Sequence, residues 1–308
     1  MLHKQQHPFQ IAEAPVPVPK PHQVIVRAHA IAVNPCDWVI QAAGVLISSF
    51  PKILGEDVSG TIVAIGSKIT SFAIGDRVCG SIDVTESAET QGTFQLYSAV
   101  NEGMLGKIPS NTSFVQASVL PAALSTAACS LYQDDAMALP LPKLQLEMHG
   151  KTLVVWAAST VVGSCAIQLA VASGYEVFAA AGKANQEYCR ELGAVQVFDH
   201  SNDTVVEDMV AALKGKNVEG GFCAHVDNEA VRKCAVVVDR AGGKKVGTVL
   251  PPGWPVPEGV PAGLEVSFSK YSTRDPLNFL QDMVLTALQL TTVRYRATRS
   301  DLQFGASG

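Results

Sequence analysis

Hydrophobic and polar positions alternate from Gln23 to Val33, with Val24, Val26, Ala28 and Ala30 two residues apart, which is the pattern of a strand with one buried face. Short β-branched runs bounded by Gly, Pro and Asp follow at Gly60–Gly66, Arg77–Gly80 and Gly92–Tyr97, so the chain over residues 1–110 reads as mainly β. Ser113 to Gln133 has helical spacing on both sides of Pro121, and Leu139–Pro142 reads as a loop. From Lys151 the periodicity changes. Strands predicted at 152–157, 176–181, 195–198, 221–226 and 244–249 alternate with helices predicted at 163–173, 183–192, 203–214 and 228–240, the rhythm of a parallel sheet built from right-handed βαβ units. A helix-like segment from Pro276 to Leu290 then leads into Arg294–Gly308, which has no periodic pattern. Thr152 to Tyr175 carries no charge and is long enough to cross a bilayer. Its internal order argues against that. A β-branched run ends at Trp156, small residues break the pattern at 157–160, helical spacing resumes, and Gly174 stops it, so strand, turn and helix are predicted and no membrane span.

Composition narrows the class. The length suggests two domains. With 23 Lys and Arg against 28 Asp and Glu the net charge is −5, and no basic run offers a track for a phosphate backbone, so nucleic acid is not an expected partner. Hydrophobic residues at 47% and charged residues at 17% suit an enzyme-like globule. The seven cysteines are scattered, odd in number and without a CxxC pair, which fits a reducing compartment. Met1–Pro21 has charges, histidines and prolines where a signal peptide has an apolar run, so a cytoplasmic location is expected.

The turn Ala157-Ala158-Ser159-Thr160-Val161-Val162-Gly163 is the first place where chemistry is expected. In an open α/β sheet a helix N-terminus just beyond a strand offers backbone N–H groups and a positive dipole end to a pyrophosphate, and small residues let the backbone come close. Strict GxGxxG spacing is absent, so an ordinary small-residue loop is the alternative. NAD-specific sites place Asp or Glu at the end of the second strand. Here Glu176–Ala181 is followed by Gly182-Lys183-Ala184-Asn185, with no carboxylate. Lys183 and Asn185, with Tyr188 a turn later, suit a 2′-phosphate and point to NADPH, the alternative being a solvated Lys183 that merely opens a helix. The seven histidines include none beside a G-x-S-x-G elbow, and no Ser/His/Asp set is legible.

Asn34-Pro35-Cys36-Asp37-Trp38, Gly55-Glu56-Asp57-Val58-Ser59-Gly60, Gly75-Asp76-Arg77-Val78 and Leu120-Pro121-Ala122-Ala123-Leu124-Ser125-Thr126-Ala127, in this order ahead of the βαβ half, resemble the medium-chain dehydrogenase/reductase superfamily. Asn34-Pro-x-Asp37, Lys107-Ile-Pro109 and Val155-Trp156 look most like its zinc-free quinone reductase and enoyl reductase branch. Within that branch the sequence is most similar to fungal trans-acting enoyl reductases that partner polyketide synthases, and to related toxin-cluster oxidoreductases.

The resemblance implies an α/β chain: a mainly β, GroES-like catalytic domain over residues 1–125, a Rossmann-type NADP-binding domain with a doubly wound parallel sheet over 126–265, and a truncated or divergent C-terminal return over 266–308. It implies hydride transfer from NADPH to the β-carbon of an activated double bond, in an enoyl thioester or α,β-unsaturated carbonyl that is a small molecule or is borne on a carrier of a polyketide synthase. Ser159, Thr160, Val161 and Val162 would lie on the pyrophosphate, Gly182 to Asn185 on the adenosine phosphate, His200 on adenine and Val249-Leu250 along the nicotinamide. Substrate would enter between domains, past Ser125-Thr126-Ala127. No metal is expected. Cys36 stands where a first zinc ligand would be, but Glu56 replaces the usual His, Asp57 follows it, and the four-cysteine structural lobe is missing.

Three features depart from the family pattern. Val39 occupies a position that is often Lys or Tyr and can donate no proton, leaving the catalytic donor unassigned. Ala157-Ala158 replaces Gly-Gly, with β-carbons that would crowd a close phosphate. The tail Arg294–Gly308 matches nothing in the family. Two alternatives to the enoyl reductase therefore stay open: a quinone or enone reductase, and a catalytically weakened remnant that binds nucleotide or a partner. The oligomeric state is not legible.

Overall fold

The computed structural model describes residues 1–45, 47, 49–82, 92–143, 147–251 and 253–268. The segment from Pro276 to Leu290 and the tail Arg294–Gly308 lie outside them, as does 266–308 apart from its first three residues. The chain divides into two compact units, Met1–Ala122 and a second that starts at Ala123.

In the first unit, β1 (Gln23–Ala32) is followed by α1 (Pro35–Ala43), β2 (Asp57–Ile65), β3 (Arg77–Ser81), β4 (Tyr97–Asn101), β5 (Leu105–Lys107), α2 (Phe114–Ser118) and the start of α3 (Pro121–Tyr132). The strands form one antiparallel sheet in the order β4-β1-β2-β3-β5. The alternation in β1 does what it predicts: Val24 and Val26 are fully buried among Val58, Ile62, Val78, Val100 and Leu105. Residues 92–96 are not a strand. Phe94 N–H donates to Leu54 O and Thr93 N–H to Gly55 O, so this segment packs on the 53–55 backbone, and a β-carbon at Gly92 would collide with the Ile53 and Leu54 carbonyls. Where Asn34 to Trp38 reads as a turn or a capped start, a full helix forms: Pro35 suits its first position, and Asn34 and Asp37 make a capping box.

The second unit continues with β6 (Thr152–Trp156), α4 (Val161–Ala172), β7 (Glu176–Ala181), α5 (Gln186–Glu191), β8 (Ala194–Asp199), α6 (Val205–Ala212), β9 (Val218–Cys223), α7 (Asn228–Arg240), β10 (Lys245–Thr248) and β11 (Glu265–Phe268). All its pairings are parallel and the order is β11-β10-β9-β6-β7-β8. The chain winds outward from β6 through β7 to β8, crosses back, and winds the other way through β9, β10 and β11. Right-handed crossovers then put α4 and α5 on one face and α6 and α7 on the other. Val205, Met209 and Leu213 accordingly share a core with Val231, Cys234 and Val238.

Strand β9 runs Val218–Cys223, three residues ahead of the predicted 221–226, with Gly220-Gly221 inside the sheet. A β-carbon at Gly221 would stand 2.6 Å from Val238 Cγ2, so glycine here lets α7 lie close to the strand. Four-residue β11 has no expected counterpart, being too short for periodicity to mark. The uncharged stretch 152–175 is β6, a turn and α4. Phe114–Tyr132 is apolar enough to cross a membrane by length and composition, but Pro121 divides it into α2 and α3 and it is 72% buried.

Candidate nucleotide site

Parallel strands put all their C-terminal ends on one edge of the second sheet, and the order reverses between β6 and β9, which opens a crevice there. Every residue of Thr152–Trp156 is buried, so β6 fixes the turn that follows it. Thr160 caps α4: its Oγ1 accepts from Gly163 N–H at 3.0 Å and donates to Ala157 O at 2.9 Å. A β-carbon at Gly163 would collide with Ala157 O and lie 2.8 Å from Ala158 Cα, so this glycine is what lets the helix approach the turn. Val161 and Val162 are the first helical residues, and their N–H groups have no carbonyl inside the helix to bond. The turn is thus a cradle of backbone donors at the positive end of a helix dipole, which fits a pyrophosphate.

Ala157 has φ +55°, a left-handed conformation that favours glycine. Ala158 is fully buried, and its N–H donates to Ala180 O at 3.0 Å, so its methyl does not face solvent. Ala157→Gly is expected to stabilise the chain by about 1 kcal/mol, the relief of left-handed strain less the added chain flexibility. Thermal unfolding checks this, with a rise of about 2–4 °C expected.

Beyond β7, the segment Gly182–Asn185 comes to the same turn: Asn185 Nδ2 donates to Ser159 Oγ at 3.5 Å, and Asn185 N–H to Gly182 O at 2.8 Å. A β-carbon at Gly182 would stand 3.6 Å from His200 Nε2, so this glycine faces the imidazole. Ser159, Gly182, Asn185 and His200 are therefore gathered at one corner, with Lys183 exposed beside them and Tyr188 half-buried on α5. An acid reaches this corner from β8, which the sequence signal of a carboxylate after the second strand does not reveal. Asp199 pairs in register with Ala181, and the Ser201 hydroxyl and N–H hold its carboxyl below the usual carboxylate range, with smaller help from His200 and Lys183. At the end of β10, Val249 is half-buried and Leu250 is turned into the core. On α3, Ser125 and Ala127 are buried and Thr126 is half-buried.

The first unit holds a separate polar cluster. Asp57 is fully buried; one carboxylate oxygen accepts from Ala122 N–H at 2.7 Å, at the start of α3, and the other from Asn34 Nδ2 at 2.9 Å. Asp37 accepts from Asn34 N–H and Gly55 N–H at 2.8 and 3.0 Å. Burial pushes the Asp57 carboxyl up to about 7 against these hydrogen bonds, and the Asp37 charge adds to the push. The Cys36 thiol is driven well up, first by burial and then by Glu56, with which it hydrogen-bonds. This set does not suit zinc: both Asp57 oxygens are engaged, and Glu56 stands where a Cys-His site would have its His. Among the described residues, no group of three or more His, Cys, Asp and Glu is arranged to hold a metal. Val39, half-buried on α1, offers only methyl groups.

Because an unfolded Asp titrates near pH 4, the folded chain keeps a proton on Asp57 between about pH 4 and 7 that the unfolded chain has lost. The contribution of Asp57 to stability is thus full below pH 4 and is lost as pH rises to about 7. Asp57→Asn is expected to flatten part of that fall in melting temperature, Asp37 acting in the same direction; an unchanged slope contradicts the assignment.

Comparison with known proteins agrees with this architecture. Residues 20–110 match the family described as alcohol dehydrogenase GroES-like domain, and residues 161–249 the one described as zinc-binding dehydrogenase. The chain is 38% identical over 263 residues to Dehydrogenase pigH of Monascus ruber, covering 83% of this chain and 70% of that protein. It is 40% identical over 241 residues to Trans-enoyl reductase himH of Aspergillus japonicus, covering 78% and 69% respectively. An alcohol dehydrogenase superfamily protein from Novosphingobium aromaticivorans superposes with a TM-score of 0.74 at 28% identity, over 94% of this chain and 84% of that one.

Proposed function

The chain belongs to the medium-chain dehydrogenase/reductase superfamily of oxidoreductases, and we propose that within it the protein is an NADPH-dependent, zinc-free reductase of an activated carbon–carbon double bond. The observation that carries this reading is the corner where the α4 N-terminus, Ser159, Asn185 and Gly182 meet beside Lys183, at the C-terminal end of β7, where that strand has no carboxylate. When bound, NADPH supplies a hydride from its nicotinamide ring.

The backbone of Ser159, Thr160, Val161 and Val162 binds the pyrophosphate. Gly182 admits the adenosine close to the chain, His200 packs on adenine, and Lys183, Asn185 and Tyr188 take the 2′-phosphate. Val249 borders the nicotinamide with Leu250 behind it in the core, and Thr126 lines the approach for substrate, with Ser125 and Ala127 buried on either side of it. Reduction places hydride on the β-carbon and a proton on the α-carbon; Val39 has no proton to give, so the proton comes from another group. The engaged oxygens of Asp57 support chemistry without zinc.

An enoyl substrate is supported by the relative named as a trans-enoyl reductase; its delivery as a thioester on a polyketide synthase is part of the proposal. The seven free cysteines suit a reducing, cytoplasmic setting. The test is NADPH consumption across enoyl thioesters, enones and quinones. Turnover of the thioesters with formation of the saturated product is expected; turnover of quinones alone assigns a quinone reductase, and consumption with none of the three contradicts the proposal.

A further inference from the structure

We infer that His225 is a hydrogen-bond donor to the nicotinamide half of the bound nucleotide. The inference rests on the nucleotide reading above, and it concerns a residue to which the sequence pattern assigns no role. Strand β9 borders the crevice on the side away from β7, and Cys223, its last residue, pairs in register with Trp156. Ala224 N–H donates to Trp156 O at 3.0 Å, so the pairing runs one residue past the strand and lays the β9 loop alongside the Ala157–Thr160 turn. A dinucleotide with its pyrophosphate at the α4 N-terminus and its adenosine over the end of β7 must extend its other half over β9 and β10. His225 stands on that path and is exposed.

Its ring is set in place by local bonds. Asp227 N–H donates to His225 Nδ1 at 3.1 Å, and the Cys223 thiol donates to the His225 carbonyl at 3.6 Å. Asp227 is itself anchored, its Oδ2 accepting from Ala230 N–H at 2.9 Å to cap the thirteen-residue helix α7. With Nδ1 accepting, the neutral imidazole carries its hydrogen on Nε2. That N–H is a fixed donor suited to the carboxamide oxygen or a ribose hydroxyl of the nicotinamide half; the adenosine ribose, which also bears a hydroxyl, lies on the other side, over the end of β7.

The experiment is a pair of titrations of the full chain and its His225→Ala and His225→Gln variants. One ligand is NADPH; the other is adenosine 2′,5′-bisphosphate, which has the phosphate end and no nicotinamide. His225→Ala is expected to weaken NADPH about fivefold, the effect of one lost hydrogen bond, and to leave the bisphosphate unchanged. His225→Gln, whose amide N–H can donate, is expected to recover part of the loss. An equal loss for both ligands, or none for NADPH, overturns the inference while the wild-type chain still binds nucleotide. A wild-type chain that binds neither ligand overturns the nucleotide reading and this inference with it.

Discussion

Replacing Gly163 by alanine is expected to abolish measurable nucleotide binding and to lower the melting temperature. The added methyl would meet backbone rather than a pliable side chain: the Ala157 carbonyl oxygen, with Ala158 Cα at 2.8 Å and Ala158 C at 3.0 Å. Backbone can yield only by moving the turn or the helix. Either movement breaks the Thr160 cap, since Thr160 Oγ1 is held between Gly163 N–H and Ala157 O. Forced overpacking of this kind costs about 3 kcal/mol, which for a chain of this size corresponds to about 6–12 °C. Calorimetry reads the stability and a fluorescence titration reads the binding. A Gly163→Ala chain that melts like wild type and binds normally would show that the helix does not need this close approach.

The second large effect is expected at Lys183. Lys183→Glu removes a cation from the corner formed by Gly182, Asn185 and His200, and sets a carboxylate there beside Asp199. A charge-assisted hydrogen bond to phosphate is lost and repulsion is added, so NADPH affinity is expected to fall by about a hundredfold. NADH, which lacks the 2′-phosphate, is expected to change by less than about threefold, because only the phosphate contact is removed. Equal losses for the two nucleotides would mean that Lys183 serves the fold of the corner and not recognition of a phosphate. Asp199 sharpens the comparison: it already places negative charge near Lys183, and its own carboxylate is tied to Ser201 at 2.6 Å and 3.0 Å.

Much of the fold was legible because its signals are local. Alternation marks β1, and β-branched runs punctuated by small residues mark β6 and the strands that follow it. The failures have a common physical cause. At Gly92, which opens a run that reads as a strand, and at Gly220-Gly221, which stand at the predicted edge of β9, the glycines serve close approach to another segment, and nothing nearby in sequence reveals that use. The site divides in the same way. The phosphate turn and the carboxylate-free end of β7 are readable as strand ends followed by small and basic residues. The left-handed backbone of Ala157 is hidden, since glycine is the residue that would have announced it. Asp57 meets the N-terminus of α3 from 65 residues away, a contact no local pattern encodes. The place of His225 follows only from the sheet order, and its ring orientation only from the bond to Asp227.

The most direct test of the account is a fluorescence titration of the purified chain with NADPH and, separately, with NADH. The account predicts tight binding of NADPH and much weaker binding of NADH, because the corner beyond β7 offers Lys183 and Asn185 to a phosphate and the C-terminal end of that strand offers no carboxylate to a ribose diol. Equal affinity for the two, or binding of neither, contradicts it.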